Sequence, residues 1–172
     1  MENDLSKWPQ LQLDDKELQK QLEALLTARV VGDPYDRSGE LAGNLRTLPR
    51  GLRSMGATHW LDISLTLDSV TWHFGNFGEP GLVAVTEEGL RDLELFELAD
   101  CFHEAAELMM PLEKTRGTKG INEMLEEAGV VERADELNRR AWELAPDGVD
   151  DSVIYNAWIK FTRAHPEQVF GE

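Results

Sequence analysis

What this chain lacks narrows its chemistry at once. Among its 172 residues is a single cysteine, Cys101, which excludes an internal disulfide framework and a zinc cluster of the CxxC type. Cations are scarce as well: 17 Lys and Arg stand against 33 Asp and Glu, for a net charge of −16. Direct binding to nucleic acid or to an anionic membrane is disfavoured, because both need a basic footprint. No apolar run approaches the length of a membrane span. The opening residues Met1, Glu2, Asn3, Asp4 and Leu5 are acidic and polar, unlike a signal or transit peptide. Phosphate-loop, GxSxG and repeat signatures are missing too. Gly75-Asn76-Phe77-Gly78 has neither the spacing nor the lysine of a phosphate loop, and Ser54, Ser64 and Ser69 sit in no nucleophile-elbow setting.

What is present is an ordinary globular composition: 41% hydrophobic residues, five Trp and six Phe. A chain of this length buries roughly 70% of the surface its unfolded form exposes, enough for a core without metal or disulfide. The expectation is a cytoplasmic single domain over residues 1–172, with 1–13 as a flexible or loosely docked N-terminal segment.

Periodicity points to an all-α, compact multi-helix domain of about six to eight helices. Asp14 or Asp15 caps a helix carrying Leu18, Leu22, Leu25, Leu26 and Val30, which ends at Gly32 before Asp33-Pro34. Glycines and prolines punctuate 33–56, which reads as short helical turns and loops. Over 58–76 two patterns compete. Leu61, Ile63, Leu65 and Leu67 alternate like a strand, whereas Trp60, Ile63, Leu67, Val70 and Phe74 form a longer helical stripe. The longer pattern favours a single helix to Phe74, followed by a loop through Gly75, Gly78 and Pro80-Gly81. Thr86 then caps a helix opening with Glu87 and Glu88, and another runs from Phe96 to a stop at Pro111. The latter buries Leu98, Cys101, Phe102, Ala105, Leu108 and Met109. Further helices are expected over 119–128, 131–144 and 152–164, the last capped by Asp150 or Asp151.

The charge is not evenly spread. Residues 1–60 hold 9 acids and 8 bases, and 111–172 hold 13 and 8, but 61–110 hold 11 acids and one base, Arg91. Carboxylates three and four residues apart on a helix stand about 5–6 Å apart, a spacing comparable with phosphates along a nucleic-acid strand. Such like-charge neighbours cost a few tenths of a kcal/mol each, and no lysine relieves them between 92 and 113. Glu87, Glu88, Asp92, Glu94, Glu97, Asp100, Glu104 and Glu107 are therefore the candidate partner-binding residues.

Two segments carry a family resemblance. The first is the expected helix 58–74 running into Trp72-His73-Phe74-Gly75-Asn76. The second is Asp150-Asp151, Tyr155, Trp158 and Phe161, closed by His165-Pro166-Glu167 and Phe170. Together they resemble the DNA-mimic protein family of small, acidic, all-helical bacterial proteins. Where that family usually has Asn-Gly-Gly-Phe, this chain has Asp68-Ser69-Val70-Thr71. The resemblance implies an all-helical fold and an acidic surface presented to a DNA-binding protein.

The leading expectation is a non-enzymatic inhibitor of protein–nucleic acid contact. It needs no cofactor and has a basic partner: a DNA-binding regulator, a nucleoid protein or a nuclease toxin. In the last case it is an immunity protein. Two other classes stay open. A metal-dependent enzyme would use His103, Glu104 and Glu107 with Asp100, although a zincin helix has a second His where Glu107 stands. A helical scaffold or homodimerisation domain would need no charged ligand.

Overall fold

The computed structural model describes residues 7–146 and 151–171. Among these the chain is all-helical, with no strand and ten α-helices around one core. That is more than the six to eight expected, because two segments read as continuous or as loop are divided into helices of their own. No helix of the described residues is long and apolar enough to cross a membrane.

Helix α1 (Asp15–Arg29) starts where the Asp14 carboxylate accepts the Glu17 N–H at 2.9 Å, and it buries Leu18, Leu22 and Leu26. Before it, residues 8–13 lie against the far end of the chain. The Trp8 ring is 6.1 Å from Phe170, and the Arg163 guanidinium donates to the carbonyls of Leu11 and Leu13, both at 3.0 Å. Helix α2 (Glu40–Thr47) follows Gly39, which takes a left-handed φ of 84°.

Helix α3 (Arg50–Leu67) is the centre of the molecule, and its first turns occupy the end of 33–56, where only short helical turns and loops were expected. It touches α1, α2 and four later helices, so its glycines serve close approach rather than chain reversal. A Cβ on Gly51 would lie 2.8 Å from the Gln168 carbonyl oxygen, and one on Gly56 would lie 2.7 Å from Leu45 Cδ2. Its buried hydroxyls are satisfied within the helix: Ser54 donates to the Arg50 carbonyl, Thr58 to Ser54 and Ser64 to Trp60, at 2.8–2.9 Å.

The single helix expected to reach Phe74 is instead two. Asp68 leaves helical geometry (φ −154°, ψ −98°), and Ser69 accepts the Trp72 N–H to cap α4 (Val70–Phe77). The helical stripe misled because Leu67 is 69% exposed; the face of α3 that packs here is Leu61, Ser64 and Leu65. Gly75 lies within α4, and Pro80 opens α5 (Pro80–Asp92) rather than belonging to a loop. Glu79 is the cap of α5, its carboxylate accepting from the N–H groups of Gly81 and Leu82 at 2.9 and 2.7 Å. Thr86, expected as a cap, is instead buried in mid-helix, its hydroxyl donating to the Leu82 carbonyl at 2.8 Å.

Helix α6 (Phe96–Glu113) buries the expected Leu98, Cys101, Phe102, Ala105 and Met109, with Leu108 only partly covered. It runs two residues past Pro111. The carbonyl that proline leaves without a donor belongs to exposed Glu107, where water can replace the lost bond. Helices α7 (Ile121–Ala128), α8 (Val131–Leu144) and α9 (Val153–Ala164) match expectation closely, and α10 (Glu167–Phe170) adds a final turn. The cap of α9 is Ser152, which accepts from the Tyr155 N–H and donates to Asp62. Of the two residues expected in that role, Asp151 instead accepts from the Asn156 amide, and Asp150 lies outside the described residues.

One buried pair has a consequence for stability. His73 on α4 is fully buried, with Nδ1 2.8 Å from Ser64 Oγ and Nε2 without a partner. Ser64 gives its proton to the Trp60 carbonyl, so the imidazole is a neutral ring donating from Nδ1, and burial pulls its pKa down from 6.5 to about 3. A proton taken up by the unfolded chain below pH 6.5 is thus refused by the native one. Stability is present in full above that pH and is lost as pH falls toward 3, at about 1.4 kcal/mol per pH unit. Urea unfolding between pH 6.5 and about 5, above the carboxylate range, should show this loss. His73→Gln should remove most of it, while a wild-type profile flat over that window contradicts the buried neutral imidazole.

Candidate functional site

The eight acids singled out in the sequence all lie on or between α5 and α6, yet they do not form a single bare row. Position within α5 is set by its crossing with α3. Gly89 passes so close that a Cβ there would meet the Ser54 carbonyl oxygen at 3.0 Å, and this fixes which way Glu87, Glu88, Arg91 and Asp92 project. The turn to α6 closes with the Leu95 N–H on the Leu90 carbonyl. Glu94 sits in it at φ 63°, a left-handed conformation that costs a non-glycine residue roughly 1 kcal/mol.

Three directions result. Glu88 and Asp92 turn back toward the N-terminal half, where Glu88 pairs with Arg46 at 3.1 Å and Asp92 with Arg50 at 2.5 Å. Asp92 also shares the Ser54 hydroxyl with the Arg50 carbonyl, its Oδ2 lying 2.9 Å from that oxygen. Glu94 reaches Lys160 of α9 at 2.5 Å, which holds its carboxyl below the ordinary range. Glu104 points to α8 and is clasped by Arg140 and Arg133 at 2.7 and 2.6 Å, which likewise lower its pKa.

The remaining acids gather where α5 meets α6. Arg91 is shared between Glu87 and Asp100, 3.0 Å from each. His103 bonds Glu87 through Nδ1 at 3.0 Å and meets Glu107 through Nε2 at 3.5 Å. Glu97 has no ion-pair partner among the described residues. Partial burial pushes the Glu87 carboxyl up, but its hydrogen bonds from His103 and Arg91 outweigh that and hold it below the usual range. The Glu87 hydrogen bond and charge in turn raise the pKa of His103. This patch therefore keeps more carboxylates than cations, and its surplus faces solvent.

The alternative metal reading needs His103, Glu104, Glu107 and Asp100 to converge, and they do not. Glu104 turns to the α8 arginines, Asp100 to Arg91, and both ring nitrogens of His103 face carboxylates. Among the described residues no three His, Cys, Asp or Glu side chains are grouped to hold a metal ion. Cys101 is buried, its thiol directed at the Leu137 carbonyl and its pKa raised by burial, which suppresses the reactive thiolate. Ser64 and His73 are in hydrogen-bond contact but sealed in the core.

Sequence reasoning missed a groove of about 590 Å³ between α4, α7 and α8, lined among others by Asp68, Trp72, Glu126, Asp135, Asn138 and Trp142. Asn138 accepts the Thr71 N–H at 3.1 Å, and the Trp142 indole donates to the Asp68 carbonyl at 2.9 Å, so α8 is laced to the start of α4. Asp135, Asn138 and Trp142 recur three and four residues apart, a stripe visible in the sequence beside the apolar one. What faced it was not visible. A second hollow, about 540 Å³, lies between α1 and α3 beside Glu23, His59 and Trp60. There His59 Nδ1 meets the Tyr155 hydroxyl at 2.9 Å, and burial lowers the His59 pKa.

The chain matches no protein-family model, no curated protein and no solved structure.

The Glu87–His103 contact can be checked directly. Because the folded pKa of His103 is raised, its contribution to stability is present below pH 6.5 and is lost as pH rises through the folded value. An NMR titration should place the His103 midpoint above 6.5, and Glu87→Gln should move it down. A midpoint indifferent to that substitution contradicts the pairing.

Proposed function

We propose that this protein is a non-enzymatic binding protein whose acidic face occupies a basic surface of a partner and thereby keeps nucleic acid from it. The observation that carries the reading is the electrostatic surplus at the α5–α6 junction. One arginine serves both Glu87 and Asp100, Glu107 leans on a histidine, and Glu97 has no cation among the described residues, within a chain of net charge −16.

The arginine clasps bear on the mechanism. Exposed ion pairs contribute little to stability, typically 0.2–1 kcal/mol, but they hold carboxylates in fixed places. A carboxylate pinned by Arg91 or Arg133 loses less side-chain freedom when a partner's cation arrives than a free one does, and that lowers the entropic cost of binding. The surplus charge then attracts the partner, and the paired acids supply register. The resemblance to the DNA-mimic family supports the same direction. A DNA-binding regulator, a nucleoid protein or a nuclease presents the required basic surface.

The test is displacement of a fluorescent DNA duplex from a purified bacterial nucleoid protein. Wild-type protein should release the DNA. A variant carrying Glu97→Gln, Asp100→Asn and Glu107→Gln should need about tenfold more protein, since each lost contact is worth a fraction of a kcal/mol. Its thermal stability should be unchanged. If the variant displaces DNA as well as wild type does, these acids are not the contact surface.

A further inference from the structure

The groove between α4, α7 and α8 has features that a merely solvated hollow lacks. Apolar surface stands open in it: Trp142 is 42% exposed and Val131 38%. Trp142 is also held in place, because its indole N–H is engaged by the Asp68 carbonyl. A fixed aromatic ring contributes contact area without losing much freedom on binding, which is why tryptophan is enriched among the residues that dominate interface energies.

Three carboxylates around the ring are without a cation partner among the described residues. Asp68, Glu126 and Asp135 come from three separate segments and line the same groove. None has a Lys or Arg within ion-pair distance among the described residues, in contrast to Glu87, Glu88, Asp92, Glu94, Asp100 and Glu104. The cation in the groove, Arg116, is already engaged by Glu113 and by the Gly75 carbonyl, at 3.1 Å each. A second copy of this acidic chain would bring like charge, so self-association is not the natural occupant.

An indole beside unpaired carboxylates suits one side chain above others. Guanidinium is planar, stacks on aromatic faces and donates in a fork to carboxylate, whereas ammonium is a compact, strongly hydrated charge. We propose that this groove is the docking site for an arginine-bearing segment of a basic partner protein. The arginine sits against Trp142 and bonds to Asp135 or Glu126, and an apolar neighbour in the segment covers Val131. The inference rests on the binding reading above and gives it an anchor away from the α5–α6 acids.

The test is an NMR titration of the full chain with a capped Arg-Leu-Arg peptide at low salt. A control peptide with citrulline in place of arginine keeps the shape and loses the charge. The Trp142 indole N–H signal should move with the arginine peptide and hardly at all with the citrulline one. Asp135→Asn should weaken binding at least about threefold, while Glu17→Gln on α1, an exposed acid paired with Lys20 outside both acidic sites, should leave it unchanged. Shifts concentrated on α6 rather than the groove would overturn this site and leave the acidic-surface reading standing. Equal shifts from the citrulline peptide would overturn guanidinium recognition. Absence of binding anywhere on the chain would count against both.

Discussion

A helix packed against six others cannot carry a large side chain at every contact, and the fold depends on how α3 meets that constraint. Gly51, Ser54, Gly56, Ala57 and Thr58 let neighbouring backbones approach, while Leu52, Met55, Leu61 and Leu65 fill the space between. The cost is a line of buried hydroxyls, and each is answered by a carbonyl four residues back. Thr58 does more: its oxygen accepts the indole N–H of Trp158 at 3.0 Å, which ties α9 to the centre. Replacing these small residues by larger ones would push α5, α9 and α10 outward together, so the positions of the surface acids trace back to the glycines at 51 and 89.

Charge organisation follows from that packing. Arg46 and Arg50 come from the first third of the chain, Arg133, Arg140 and Lys160 from the last, and each meets an acid of the α5–α6 hairpin. A stretch with one base in its own fifty residues thus acquires five more in space. The pairs on Glu88, Asp92, Glu94 and Glu104 act as clasps between helices. The α5–α6 junction and the groove beside Trp142 keep carboxylates that no cation of the described residues meets. The negative charge therefore divides into acids paired with cations of other helices and acids that no cation of the described residues meets.

The helical class and most helix positions were legible in the sequence because amphipathic periodicity and cap residues are local. Leu18, Leu22 and Leu26 behind Asp14 illustrate this, as does the buried face of α6. The misreadings have a common source. Gly51, Gly56, Gly75 and Thr86 look like breakers or caps in isolation, and only the proximity of another helix explains them in mid-helix. The break at Asp68 was hidden by a stripe that continued through it by coincidence, although Ser69 is an ordinary cap. The acids were in view, but apart from Arg91 the cations that pair with them lie more than twenty-five residues away in sequence and leave no local signature. For the same reason the groove, whose walls come from three helices, was illegible even though the Asp135–Asn138–Trp142 stripe was in view.

If the surplus negative charge serves a basic partner, that partner can be captured from cell extract on the immobilised chain at low ionic strength and eluted stepwise with salt. Basic, nucleic-acid-binding proteins should be released at modest salt, as expected for contacts screened over a Debye length near 10 Å at about 0.1 M, and displaced by added DNA. Recovery of partners that resist salt and ignore DNA, or of none, would mean that the acids serve the fold and its solubility alone.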